Sequence, residues 1–325
     1  MSNIRKAVWS HPARDFAAGA DSVKAMVGRL AGAGFDLIIP CVKNTTGLAS
    51  YRSEHAHVEP VFQDWDPLEA LAAEAKQAGI DVHPWLCVFP EGKRSALVEK
   101  RPELQAISRS GDPLPWACPA RDENQEYELA LYREIIDRYD VSGVHLDYIR
   151  HNSGDMCFCQ RCREAFKAAT DRDPADLRPK DREWVPWIEG RCRHITRFVR
   201  ALREVGGKAG REVSAAVFTD YPQCLHGVGQ DWEAWAKEGL VDYIFPMTYT
   251  NSAALARKQT RNHVAILAGA CPLWEGLGKG SSASTLTTEM LMDQVRAVTE
   301  EGAQGIVIFH YAAIEDPDLE ALAKL

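Results

Sequence analysis

Gly143-Val144-His145-Leu146-Asp147-Tyr148-Ile149-Arg150 reads as a buried β-strand that runs into a cluster of ionisable residues. Val144 and Leu146 suit the wall of a barrel, whereas His145, Asp147 and Arg150 crowd the carboxyl end of the strand. Burial and neighbouring charge at such a place set a carboxylate's pKa for chemistry. The same residues also admit a structural reading in which Asp147 and Arg150 form only an ion pair. What the other strands deliver around this one decides between the two.

Outward from that stretch, short β-branched or apolar runs alternate with helical patterns along the whole chain. This is the pattern of a parallel sheet wrapped by helices. Eight strands are expected, at 4–9, 37–42, 82–89, 143–147, 213–218, 243–248, 264–268 and 305–310, each followed by a helix. Gly79, Gly239 and Gly302 sit between a helical run and a strand, where a left-handed helix C-terminus belongs. Eight such units in 325 residues fit a single (β/α)8 TIM barrel better than an open doubly wound sheet. An open sheet would want a glycine-rich turn after its first strand, and Ser10-His11-Pro12-Ala13 is no such turn. The connections 90–123 and 151–183 follow strands three and four and are long, so both decorate the catalytic face. Residues 1–325 are therefore expected to form one domain, with the 151–183 segment as an insertion.

The composition excludes several classes of function. With 46% hydrophobic residues the chain can bury a full core, yet it has no uninterrupted apolar stretch of membrane-spanning length. A net charge of -8 argues against a nucleic-acid surface, and the arginines between Arg191 and Arg203 are read as the solvated face of a helix. The start, MSNIRKAVWS, has no apolar secretion core, so a cytoplasmic location is expected.

A barrel gathers the carboxyl ends of its strands around one pocket. The strand ends and the residues just past them supply Trp9, Lys43, Trp85, His145, Asp147, Arg150, Asp220, Tyr249, Trp274, Glu275 and His310. Aromatic platforms mixed with charged hydrogen-bonding groups suit a sugar, whose CH faces stack on rings while its hydroxyls need partners. Glycoside hydrolysis asks for two carboxyl groups flanking the scissile bond. Asp147 is the first, and Asp220 and Glu275 are the leading candidates for the second, ahead of Asp231 and Glu91. Asp231 reads equally as a helix N-cap. Gly276-Leu277-Gly278-Lys279-Gly280 is read as a mobile active-site loop.

GVHLDYIR, together with WACPARDENQEYE at 116–128, GQDWEAW at 229–235 and VDYIFPMTY at 241–249, resembles the family 10-like glycosyl hydrolases over roughly residues 4 to 311. The resemblance implies a barrel glycosidase, retaining or inverting, centred on Asp147. Strand four is also similar to the Gly-Phe-Arg-x-Asp pattern of the amylase superfamily, with His145 in place of arginine. The chitinase Asp-x-Asp-x-Glu pattern is not met, because Ile149 stands where its glutamate would be. Retention through Asp147 and Asp220 is the expected course, and Trp9, Lys43, Trp85, His145, Arg150, Tyr249, Trp274 and His310 are the expected sugar contacts. No cofactor is expected for catalysis.

Cys157, Cys159 and Cys162 supply three thiols within reach of one ion, with Cys192, His151 or His194 as a fourth ligand. Structural zinc, a disulfide and free thiols are all compatible with that spacing. Two rival functions remain: a degenerate barrel that binds carbohydrate without cleaving it, and a metal-dependent hydrolase. The second would need clustered histidines at strand ends, and His83 and His145 stand alone on theirs.

Overall fold

The computed structural model describes residues 4–325; residues 1–3 of the expected single unit lie outside it. Eight parallel strands form the barrel: β1 (Arg5–Ser10), β2 (Leu37–Lys43), β3 (Trp85–Cys87), β4 (Gly143–Asp147), β5 (Glu212–Val217), β6 (Tyr243–Thr248), β7 (Trp274–Gly278) and β8 (Gly305–Phe309). Each pairs with its neighbour, and β1 closes the ring by pairing with both β2 and β8, in the registers Ala7 with Leu37 and Arg5 with Gly305. The (β/α)8 barrel expected from the sequence is the observed fold.

Two apolar layers follow from the strand alternation. Ala7, Trp9, Ile39, Trp85, Phe245, Trp274 and Val307 fill the barrel interior. Val8, Ile38, Leu86, Val144 and Ile306 face outward against the helices. Unit boundaries are chemically marked. Asp66 caps the helix Pro67–Ala78 by accepting from Leu68 and Glu69, and Gly79 ends it at φ 69°, a left-handed conformation that glycine adopts freely.

The expected strand at 264–268 is not one. Val264 to Leu267 form the last turn of the helix Ala253–Leu267, and the seventh strand is Trp274–Gly278. A short apolar run cannot by itself distinguish a helical turn from a strand. The true strand was hidden by its glycines. A Cβ on Gly276 would lie 2.8 Å from the Pro246 carbonyl oxygen and 3.0 Å from the Trp9 ring, and one on Gly278 would meet Ser284 and Tyr249. The glycine-rich run therefore starts inside a buried strand; it is not a mobile loop. Lys279, next in sequence, is buried and pairs with Asp318 at 3.2 Å.

The long connections lie at the carboxyl ends of the strands. That after β3 carries the helix Ala96–Lys100 and an antiparallel hairpin, Gln105–Ile107 with Pro113–Ala117. That after β4 carries the helix Gln160–Thr170. Among the described residues no helix is long and apolar enough to cross a membrane.

Gly276→Ala should cost about 1–3 kcal/mol in urea denaturation, because backbone as well as ring must yield. Gly207→Ala has no neighbour within 4 Å and lies in the helix Trp184–Lys208, so it should stabilise by about 0.5–1 kcal/mol.

Candidate active site

A pocket of about 400 Å³ opens at the barrel mouth, lined by Trp9, His11, Trp85, Asp147, Arg150 and Tyr249 among others. Asp147 ends β4 and is the only carboxylate among the described residues that line it. Its Oδ1 accepts from the Tyr148 backbone N–H at 2.5 Å and from Arg150 Nη1 at 3.2 Å. Tyr148 stands at φ 50°, a conformation that costs a non-glycine residue of order 1–3 kcal/mol and recurs at functional sites. The Arg150 guanidinium lies over the Tyr148 ring at 4.3 Å and over Phe218 at 4.6 Å, so the group that orients Asp147 is itself held. Burial raises the Asp147 carboxyl above the usual range, against the pull of Arg150 and the Tyr148 N–H.

The walls are aromatic and carry a free donor. Tyr249 stacks on Phe309 at 5.3 Å, and Trp9 meets Tyr249 edge-on at 6.5 Å. Trp85, which lines the pocket, has its Nε1 buried without a hydrogen-bond partner.

Trp9, Trp85, Asp147, Arg150 and Tyr249 thus come together as expected. His145 does not reach the pocket. It lies inside the barrel, accepts from Trp9 Nε1 at 3.2 Å through Nε2, and contacts Ser214 Oγ at 2.9 Å through Nδ1. Since Nε2 accepts, Nδ1 carries the proton and donates to Ser214. Burial, with His83 nearby, holds His145 well below the usual imidazole range, so it fixes Trp9 as a neutral ring.

Lys43 is also misplaced by strand-end reasoning. The β2–β3 register shifts between Cys41 and Lys43, and that irregularity turns Lys43 out of the barrel. It is fully buried, bonded to Glu91, to Glu128 at 2.8 Å and to the Val88 carbonyl at 3.1 Å. Burial would depress its pKa, yet the two carboxylates prevail and push it up to about 12. Burial holds Glu128 well above the usual carboxylate range, against the pull of Lys43 and with the neighbouring Glu91 adding to it.

Trp274 opens β7 and stacks on Phe245 at 5.6 Å inside the barrel, away from the mouth. Its neighbour Glu275 consequently faces outward. It accepts from His263 Nδ1 at 2.7 Å and from Thr248 Oγ1 at 2.6 Å. Asp220 is exposed in the turn after β5 and does not line the pocket. Asp231 caps the helix Trp232–Lys237 by accepting from Ala234 N–H. His310 sits off the pocket, its Nε2 3.3 Å from Arg14 Nη1.

Sequence reasoning passed over His11, two residues beyond Trp9 at the end of β1. The strand-end rule is the signal that reaches it, since His11 directly follows the last residue of β1. The His11 ring makes no hydrogen bond among the described residues, and its charge and that of Asp147 are close enough to bias each other's titration.

The cysteine cluster assembles differently from expectation. Cys118, Cys157, Cys159 and Cys162 bring their sulfurs within 4.8 Å of one another. Cys192 instead lies on the helix Trp184–Lys208 and donates to the Leu225 carbonyl at 3.5 Å. Neither His151 nor His194 belongs to the cluster.

The family model described as glycosyl hydrolase-like 10 matches residues 2–271. The chain belongs to that family. Among curated proteins none matches it. Among solved structures, the PgaB (BpsB) glycoside hydrolase domain from Bordetella bronchiseptica is similar at TM-score 0.80 and 14% identity, over 98% of each chain. An alpha-L-fucosidase isoenzyme 2 from Paenibacillus thiaminolyticus is similar at TM-score 0.70 and 16% identity, over 99% of this chain and 48% of its own. An endo-1,4-beta-D-mannanase from Thermotoga petrophila follows at TM-score 0.58 and 12% identity, over 99% and 98%. At these identities the likeness is one of fold.

In this glycosyl hydrolase-like 10 chain, Glu275 belongs to a buried ion pair. Burial opposes a charged His263, but Glu275, the Thr219 carbonyl that accepts from Nε2 at 3.0 Å, and Asp220 together raise its pKa above 6.5. With its folded value raised, the pair stabilises fully below the unfolded pKa of about 6.5 and weakens as pH rises through the folded one. Glu275→Gln should therefore lose about 1–3 kcal/mol at pH 6 and less at pH 9, read by urea denaturation.

Proposed function

We propose that the chain hydrolyses a glycosidic bond of an oligo- or polysaccharide at the barrel-mouth pocket, with Asp147 as nucleophile or principal charge stabiliser. The observation that carries this is the anchored, buried carboxylate of Asp147 among the rings of Trp9, Trp85 and Tyr249. Family membership supports the same reading. The oxocarbenium-like transition state gains positive charge at the sugar ring, which a fixed carboxylate stabilises without reorganising. Trp85 Nε1 is free to donate to a sugar hydroxyl, and the aromatic walls suit CH faces.

The proton-transfer group in this proposal is His11. It faces the same pocket as Asp147 and has no competing partner on its ring. Asp220 and Glu275 have no part in it, for the positions given above. Protonated His11 would donate to the departing oxygen and, once neutral, accept a proton from the attacking water. A retaining course, with Asp147 as nucleophile, is the expected outcome, and the configuration of the first-formed sugar in an NMR time course reads it out.

Asp147→Asn should lower turnover by orders of magnitude on whichever substrate an aryl glycoside and polysaccharide panel reveals, while the melting temperature stays within a few degrees. Near-normal turnover would remove Asp147 from the centre. The pH profile should be compressed. Asp147 titrates above the usual aspartate value, and His11 is held below 6.5, by burial first and then by Arg14. Activity should thus fall towards acid through a raised carboxyl and towards neutrality through a lowered imidazole, with its optimum between about pH 4 and 6.5. His11→Ala should abolish the neutral-side limb.

A lone carboxylate in the pocket favours a second reading, a barrel that binds carbohydrate without cleaving it. That reading expects no turnover on any substrate of the panel and undiminished sugar binding by Asp147→Asn.

The four-cysteine cluster is proposed to hold one structural zinc ion. Zn–S bonds of about 2.3 Å in a tetrahedron place sulfurs about 3.8 Å apart. Cys118 lies 3.5 Å from Cys162 and 3.8 Å from Cys159, which fits. The ion would tie the segment after β4 to the turn that starts the helix Asp122–Arg138. Protein purified without chelator should carry about one equivalent of zinc. Cys118→Ser should lose it and melt lower, and Cys192→Ser should keep it.

A further inference from the structure

A second cleft, of about 730 Å³, lies between the helix Gln160–Thr170 and the first turns of the helix Trp184–Lys208. None of its lining residues lines the barrel-mouth pocket. Arg121, Arg161, Arg193 and Arg197 reach it, against the single carboxylate of Glu164. Arg161 and Arg197 share the exposed Asp122, at 3.6 and 2.7 Å, whereas Arg121 and Arg193 have no ion-pair partner among the described residues. Arg191, also at this cleft, is buried and spent on the carbonyls of Met156, Ser153, His226 and Gly227; it is not part of a solvated face. His194 reports the resulting potential. Burial, then Arg197, Arg193 and Arg161, lower it to about 4.

Three polar atoms of the lining are buried without a partner: Arg121 Nε, Trp187 Nε1 and His151 Nδ1. Trp187 is 5% and His151 2% exposed, and neither atom has a partner within the described residues. An orphaned buried polar atom costs about 1–3 kcal/mol, and three around one cleft call for a common cause. Their polarities differ in an informative way. Arg121 Nε and Trp187 Nε1 are donors. His151 Nε2 lies 3.4 Å from the Arg191 carbonyl and must donate to it, which leaves Nδ1 as an acceptor. A bare anion satisfies the donors and fails the acceptor, whereas a hydroxyl beside an oxyanion satisfies both. Phe166 and Trp187, edge to face at 5.3 Å, add an apolar wall.

We infer that this cleft is a binding site for an acidic sugar, a saccharide carrying a carboxylate or a phosphate, separate from the barrel mouth. The guanidinium groups of Arg121 and Arg193 take the oxyanion, Trp187 Nε1 donates to the sugar, and His151 Nδ1 accepts from a hydroxyl. The inference stands independently of any hydrolysis at Asp147.

Calorimetric titration of the full chain in 0.15 M NaCl tests it, with glucuronate, glucose 6-phosphate, glucose and inorganic phosphate as probes. At least one acidic sugar should bind at one site per chain, at least about tenfold more tightly than either glucose or inorganic phosphate. Preference for glucuronate or for glucose 6-phosphate tells which oxyanion is meant. The variant Arg121→Gln/Arg193→Gln should weaken that binding at least about tenfold with an unchanged circular dichroism spectrum. Trp187→Phe keeps the ring, removes the donor and should weaken it less. Asp147→Asn should bind as the parent does. No binding of either acidic sugar, equal binding of glucose or of phosphate, or full binding by the double arginine variant would overturn the inference.

Discussion

Closure of the barrel is the constraint on which the other features rest. Because β1 pairs with both β2 and β8, no parallel edge is left open, and all eight strands point their carboxyl ends to one face. Closure also makes alternation decisive. On β4 it sends His145 and Asp147 inward at successive depths, the deeper one to hold Trp9 and the shallower one to face the pocket. On β7 it sends Trp274 into the interior and Glu275 into the helical layer.

The interior of such a barrel is narrow, so polar groups inside it must satisfy one another. Trp9, His145, Ser214 and His83 do so in a line, each within 3.2 Å of the next. A neutral His145 makes this possible, since a buried unpaired charge there would cost far more than a hydrogen bond returns. Outside the strands the same economy governs charge. Lys43 is tolerated at full burial because Glu91 and Glu128 surround it. This cluster joins β2 to the connection after β3 and to the helix Asp122–Arg138, and so braces the frame around the mouth.

The two long connections carry what the barrel cannot. The one after β3 supplies Cys118 and Arg121, and the one after β4 supplies the other three cysteines and the helix Gln160–Thr170. Their convergence makes the sulfur cluster and the cationic cleft neighbours, since Cys157 and Cys162 line that cleft. A small apolar cluster of Phe158, Leu177, Trp187 and Ile188 is the segment's own core, so a cross-link by metal would complement limited burial.

The fold class was legible because period-two apolar runs, helical periodicity and helix-ending glycines are local signals, repeated often enough that one misread strand left the architecture unchanged. Asp147, Arg150, Trp9, Trp85 and Tyr249 were legible for the same reason, as polar and aromatic residues where regular strands end. What the sequence by itself could not settle was direction. A one-residue irregularity in β2 turned Lys43 away from the mouth, the true start of β7 turned Glu275 outward, and Cys118 joined the cluster from 39 residues before Cys157. Side-chain facing depends on register, and register is fixed by pairing between strands distant in the chain, so only the closed tertiary structure decided which charged residues share a pocket.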